Sequence, residues 1–226
     1  MDGEDEPTGM YSRRLRTQHY ITTEKRAARR SEFLECAKLP LFKDENMCFR
    51  NTQNSYGAVS KTFHWVIAVL VIIMLCAGVS FHYLTRGSSV FNVIMFIHKS
   101  TGVTILGLMI LRLFWRWINP NPIFPIDMPT WQKIAARVVH LLFYVVLIAM
   151  PITGIIMSLA AGYPVPFWGL GNLHLAFIIK NKSLAEFMFH SHNYLAWTIA
   201  VLIVIHTLAS LKHYFIDKDN VMQRMF

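Results

Sequence analysis

Between Lys61 and Phe215 the chain carries only two carboxylates, Asp127 and Glu186, and neither lies within an apolar run. A water-facing domain of that length scatters carboxylates over its surface. This stretch instead holds four apolar runs, each near or above the roughly 20 residues needed to cross a bilayer. They cover residues 63–84, 91–117, 134–160 and 188–215, with no fifth candidate and no internal repeat. Lipid as the outer solvent explains why long stretches carry so little charge. The connections are short enough to make successive helices antiparallel neighbours. The sequence therefore predicts an all-α membrane protein, a four-helix transmembrane bundle.

Basic residues set the expected orientation. Arg13, Arg14, Arg16, Lys25, Arg26, Arg29, Arg30, Lys38, Lys43, Arg50 and Lys61 precede or open the first span. Arg112, Arg116, Lys133 and Arg137 flank the connection between the second and third, and Lys212, Lys218 and Arg224 follow the fourth. The opposite side has only Arg86, Lys99, Lys180 and Lys182. The positive-inside rule then places both termini in the cytoplasm. The net charge of +9 reads as this topology signal and not as a nucleic-acid footprint.

Nine of the thirteen acidic residues lie before Tyr56, in a segment with no long apolar face. Residues 1–55 are expected to form a weakly ordered cytoplasmic tail, and 56–226 the membrane domain. Basic residues in the tail are not followed by an early apolar core, so no signal-peptide pattern is present. Met47 offers an alternative start, with residues 1–46 as an upstream extension. Cys36, Cys48 and Cys76 form no CxxC or CxxCH pattern, so neither a thiolate metal site nor covalent haem attachment is indicated. Cys76, inside the first span, reads as a small apolar filler.

Histidine is the chemically notable residue of the spans. Ionisable groups inside a membrane are rare and tend to face the bundle interior as functional groups, and neutral imidazole is a transition-metal ligand. In the fourth span His192 and His206 stand fourteen residues apart. That is roughly 21 Å along a helix and close to four whole turns, so both rings share one face. Sorted by depth, His98 and His192 form an outer layer, and His64, His140 and His206 an inner one. Each layer offers at least two rings on different helices, as bis-histidine ligation of a haem requires. Such ligation leaves no open position for oxygen and favours electron transfer. Small residues near the rings, Gly102, Gly107, Ala196 and Ala200, leave room for a flat macrocycle.

Plainer roles stand beside each of these. A membrane histidine can serve only as a hydrogen-bonding partner between helices, worth about 1 kcal/mol. His140 is open to three roles: ligand, contact to a quinone or propionate, or packing. Arg112, Arg116 and Arg137 suit haem propionates and the positive-inside rule equally well. His82, His174, His190 and His213 sit at span ends or in the outer loop, where interfacial roles fit. Pro151 and Gly154 mark a kink or a close helix approach in the third span. Trp65, Trp115, Trp117 and Trp197 fit aromatic belts or packing.

From Tyr56 to Met225 a series of landmarks follows in order: YGAVSKTFHW, IHKSTGVTILGLMILRLFWR, RVVHLLFYVVLIAMPITG, GYPVPFWGL, HSHNYLAWTIAVLIVIH and HYFIDKDNVMQRM. In these the chain resembles the bacterial cytochrome b561 family, small four-helix di-haem proteins of the inner membrane. The resemblance implies His64 with His206 as iron ligands of an inner haem b and His98 with His192 of an outer one. It leaves His140 outside the ligand set. It further implies electron transfer involving quinone, ubiquinone being the expected acceptor, and in some members superoxide oxidation on the outer face. A basic rim of Arg86, Lys99, Lys180 and Lys182 suits either an anion such as superoxide or lipid head groups. Competing readings are the haem-bearing membrane subunit of a larger dehydrogenase or hydrogenase, a histidine-lined metal transporter, and a haem protein that only senses or supports.

Overall fold

The computed structural model describes residues 49–173 and 175–226. Nearly all of the expected tail, including Met47, His19, Cys36 and Cys48, lies outside these residues, and so does His174. Four long helices follow in order: α1 (Ala58–Ser80), α2 (Ser89–Ile118), α3 (Thr130–Ala160) and α4 (Lys182–Lys212). All four are long and apolar enough to cross a membrane. One turn of π-helix, His213–Asp217, extends α4, and a short 3₁₀ segment, Met222–Met225, ends the chain.

The helix limits differ from the apolar runs because backbone chemistry, not hydropathy, starts and stops a helix. The apolar run at 63–84 overshoots α1, which closes at Ser80. Tight bonds from His82 N to Val79 O and from Tyr83 N to Ser80 O wind down its last turn. Gly87 then reverses the chain at φ +82°, a backbone state that suits glycine. The run at 188–215 in turn misses the polar first turn of α4. Asn181 caps that helix by accepting from Leu184 N, so α4 begins six residues before the apolar run does. Ser88 does the same for α2 through Phe91 N.

Helices α1 and α2, α2 and α3, and α3 and α4 pack as antiparallel neighbours, α3 and α4 most extensively. By contrast α1 and α4, and the diagonal pair α2 and α4, make little close backbone contact. The interior is a plug of eight buried side chains, two from each helix: Ile67 and Val71, Ile105 and Met109, Val146 and Leu147, Ile199 and Leu202. In lipid such a plug gains little from the hydrophobic effect, so its worth lies in shape and van der Waals fit. Outward-facing Val69, Ile72, Ile110, Leu111, Val145 and Val201 stay exposed, as a lipid-facing surface should.

The bundle has two distinct ends. At one, called here the termini end, Asn51 donates to Pro120 O, and Ile123 N to Gln53 O. The chain end also reaches this place: Trp65 Nε1 donates to Met225 O at 2.9 Å, and Lys61 Nζ to Phe226 O. The other, the loop end, carries the 161–181 connection. That connection contains a two-stranded antiparallel hairpin, β1 (Val165–Pro166) and β2 (Asn172–Leu173).

Candidate functional site

The histidines gather in two groups at opposite ends of the plug. At the loop end the rings of His98 on α2 and His192 on α4 stand 6.3 Å apart between centroids, tilted by 65°. At the termini end His64 on α1 and His206 on α4 stand 6.2 Å apart, tilted by 58°. With metal–nitrogen bonds of about 2.0 Å and each nitrogen about 1.1 Å from its ring centre, two imidazoles on opposite sides of one metal ion have centroids about 6.2 Å apart. Both pairs fit that spacing. Each also joins helices that pack loosely together, where a flat macrocycle has room.

His140 complicates the termini end. Its centroid lies 5.9 Å from that of His206, at 60°, so distance alone does not separate it from His64. The helices that carry them differ: His140 meets His206 from α3, the helix packed most closely on α4, where Phe143 also stands 5.5 Å from the His206 ring, whereas His64 meets it from loosely packed α1.

The surroundings of His192 orient its ring. The Thr153 hydroxyl donates to Met150 O at 2.8 Å, so toward His192 it can only accept. His192 Nδ1 lies 3.2 Å from that hydroxyl oxygen and 3.1 Å from Met150 O. Nδ1 accordingly carries the proton, and Nε2 keeps its lone pair for a ligand. Gly154 makes the seat: a Cβ there would stand 3.0 Å from His192 Cε1. By comparison Gly102 meets only Met74 Cε at 3.8 Å, and Gly107 meets nothing within 4 Å. The glycine that shapes the site is thus Gly154, legible in the sequence only as a close approach next to Pro151. His98 Nδ1 is buried without a hydrogen-bond partner. Beside it an open apolar groove of about 360 Å³ runs between α1 and α2, lined by Ile73, Met74, Ala77, Ile94 and Ile97.

Cations gather at the termini end. Arg112 Nη2 lies 3.4 Å from His64 Nδ1. Arg112 and Arg116 both lie over the Tyr144 ring, at 5.9 and 5.3 Å. The Asp and Glu ion pairs among the described residues lie elsewhere, on Lys182, Lys212 and His213. Tyr56, just outside α1, does not offset the charge, because burial pushes its phenol above the usual value and keeps it neutral. Two guanidiniums without a carboxylate suit an anionic group such as a propionate. Arg137, expected with them, instead lies over Phe124 at 5.6 Å, in the 119–129 connection.

Lys99 belongs to the opposite end but is no rim cation. Its ammonium donates to Ser158 Oγ at 2.6 Å and to Pro164 O at 2.9 Å, latching the hairpin connection to α2. Arg86, Lys180 and Lys182 remain exposed there. Trp65 packs on His64 at 5.3 Å, Trp115 Nε1 donates to Ser60 Oγ, and Trp117 is exposed near the end of α2. Trp197, midway along α4 and exposed, is too deep for a belt.

Residues 55–226 match the model of a family described as prokaryotic cytochrome b561. Among curated proteins, cytochrome b561 homolog 2 of Escherichia coli K12 is 34% identical over 179 residues, covering 79% of this chain and 95% of that protein. Cytochrome b561 homolog 1 of the same organism is 27% identical over 172 residues, 76% and 97% of the two chains. A protein of Yersinia pestis named probable superoxide oxidase CybB is 31% identical over 171 residues, 75% and 94%.

Proposed function

Because the chain belongs to the prokaryotic cytochrome b561 family, multi-pass membrane proteins of bacteria that transfer electrons with b-type haem, we propose that it passes electrons between two such haems. His98 and His192 hold one, His64 and His206 the other, and a quinone is one redox partner. The carrying observation is the pair of ring spacings, 6.3 and 6.2 Å, at opposite ends of one aliphatic plug. Haem supplies reversible one-electron chemistry there, with its potential set by the residues around it. The chain's part is to hold the rings, exclude water and fix distance. On α4 the two ligands are fourteen residues apart, about 21 Å along the axis. Arg112 and Arg116 take the propionates of the termini-end group. His140 lines that pocket without ligating.

A reduced-minus-oxidised spectrum with a pyridine haemochrome assay tests this reading. Two b-type haems per chain are expected; one would mean that a ring pair is misassigned, and none would return the metal-transport reading to the front. A co-purifying iron–sulfur subunit would make the chain part of a larger dehydrogenase.

Superoxide is the electron donor best supported. The Yersinia relative carries that activity in its name, and Arg86, Lys180 and Lys182 give the loop end a cationic rim that would steer a small anion. Steering of this kind weakens with salt. Haem reduction by superoxide should therefore slow as ionic strength rises, and more in the native protein than in an Arg86→Gln, Lys180→Gln variant.

A further inference from the structure

The two ring pairs are not electrostatically alike, and the difference has a direction. At the loop end His192 Nδ1 faces two oxygens, Met150 O at 3.1 Å and Thr153 Oγ1 at 3.2 Å. Donation to them pushes electron density onto Nε2 and makes the ring a stronger base toward a metal. A stronger donor favours the oxidised metal. At the termini end the corresponding nitrogen of His64 faces a cation, Arg112 Nη2, at 3.4 Å. A guanidinium cannot accept a proton, so His64 gains no such push. The charge instead favours the reduced, more electron-rich state, and it acts strongly where water is scarce. At the loop end the nearest cation, the Lys99 ammonium, is engaged by Ser158 Oγ and Pro164 O and not by a ring nitrogen.

On the ligand reading above, we propose that Thr153 and Arg112 are positioning residues that set unequal potentials, lower at the His98–His192 site and higher at the His64–His206 site. Downhill electron flow then runs from the loop end to the termini end. The direction follows from the residues at each end and does not depend on which side of the membrane each faces.

Redox titration of the purified full-length haem protein, followed in the visible spectrum, tests the proposal. Native protein should titrate in two waves. Thr153→Val, close in shape but without the hydroxyl, should raise the lower wave alone, and Thr153→Ser should restore it. Arg112→Gln should depress the higher wave alone. Each shift should approach tenfold in the reduction equilibrium, about 59 mV for one electron. Two haems titrating as a single wave would overturn the proposal. So would either variant moving the other wave, or moving its own in the opposite direction. If Thr153→Val loses a haem, the Arg112→Gln arm decides alone. Haem content separates the two levels of inference: a single haem per native chain sinks the ligand reading itself, whereas two haems with unshifted potentials sink only the inequality.

Discussion

A methyl group on Gly154 would stand 3.0 Å from His192 Cε1 and 3.3 Å from Nδ1, tighter than most side-chain contacts. The ring must then shift by a few tenths of an ångström against the Met150 and Thr153 oxygens, or α3 must ease away from α4. Overpacking of this kind costs about 1–3 kcal/mol. Gly154→Ala should therefore lower haem content and thermal stability together, while Gly102→Ala, facing only Met74 Cε at 3.8 Å, should alter neither. Equal behaviour of the two variants in a haem-to-protein absorbance ratio would refute the seat. Ligand loss should be equally selective, because each α4 histidine lies in a different pair. His192→Ala should lose mainly the loop-end haem and His206→Ala mainly the other, as read from the low-spin signals that remain. His140→Ala should keep both.

At the scale of elements, the hairpin is tied to α2 by side chains one and two residues past His98. Ser100 is fully buried; its hydroxyl donates to Pro166 O and accepts from Trp168 N. Trp168, held at φ +48°, donates from its indole to Thr104 Oγ1. Ser100→Ala would strand the Trp168 amide and the Pro166 carbonyl, a loss of about 1–3 kcal/mol for a buried group left unpaired. The effect should stay local. Limited trypsin digestion at Lys180 and Lys182 should quicken several-fold with the haem spectrum unchanged. An unchanged digestion rate would mean that Lys99 alone carries the latch.

For the whole molecule, the arrangement of ends turns a charge count into a topology. The chain end is bound to α1 by Trp65 Nε1 on Met225 O and to the 119–129 connection by Arg224 Nη1 on Ile123 O at 2.5 Å, and Gln53 O accepts from Ile123 N at the same end. That end carries Arg50, Lys61, Arg112, Arg116, Lys133, Arg137, Lys212, Lys218 and Arg224, against Arg86, Lys99, Lys180 and Lys182 at the other. By the positive-inside rule the richer end is expected to face the cytoplasm. A fluorescent protein fused after Phe226 should light up in cells, and an alkaline phosphatase fused there should stay inactive. The reverse result would invert the bundle and exchange the sides on which the two ring pairs meet their redox partners.

Much of this was legible in the sequence because membranes simplify the reading. Lipid demands long apolar helices with every backbone group satisfied, so hydropathy and sparse carboxylates were enough for four spans. Helical rise alone placed His192 and His206 at two depths on one face, and span alternation sorted the other rings into layers. What depth could not supply is who faces whom. His64 and His140 share a layer, and in the bundle both rings stand near His206, one from loosely packed α1 and one from closely packed α3. The seat at Gly154, the proton on His192 Nδ1 and the guanidinium at His64 Nδ1 arise between helices far apart in sequence. Arg112 and Arg137 looked alike as basic residues near one end, yet one meets a histidine and the other a phenylalanine. Periodicity and transfer energy are properties of a single helix and can be read along the chain. Side-chain contact is a property of two, and only the folded bundle decides it.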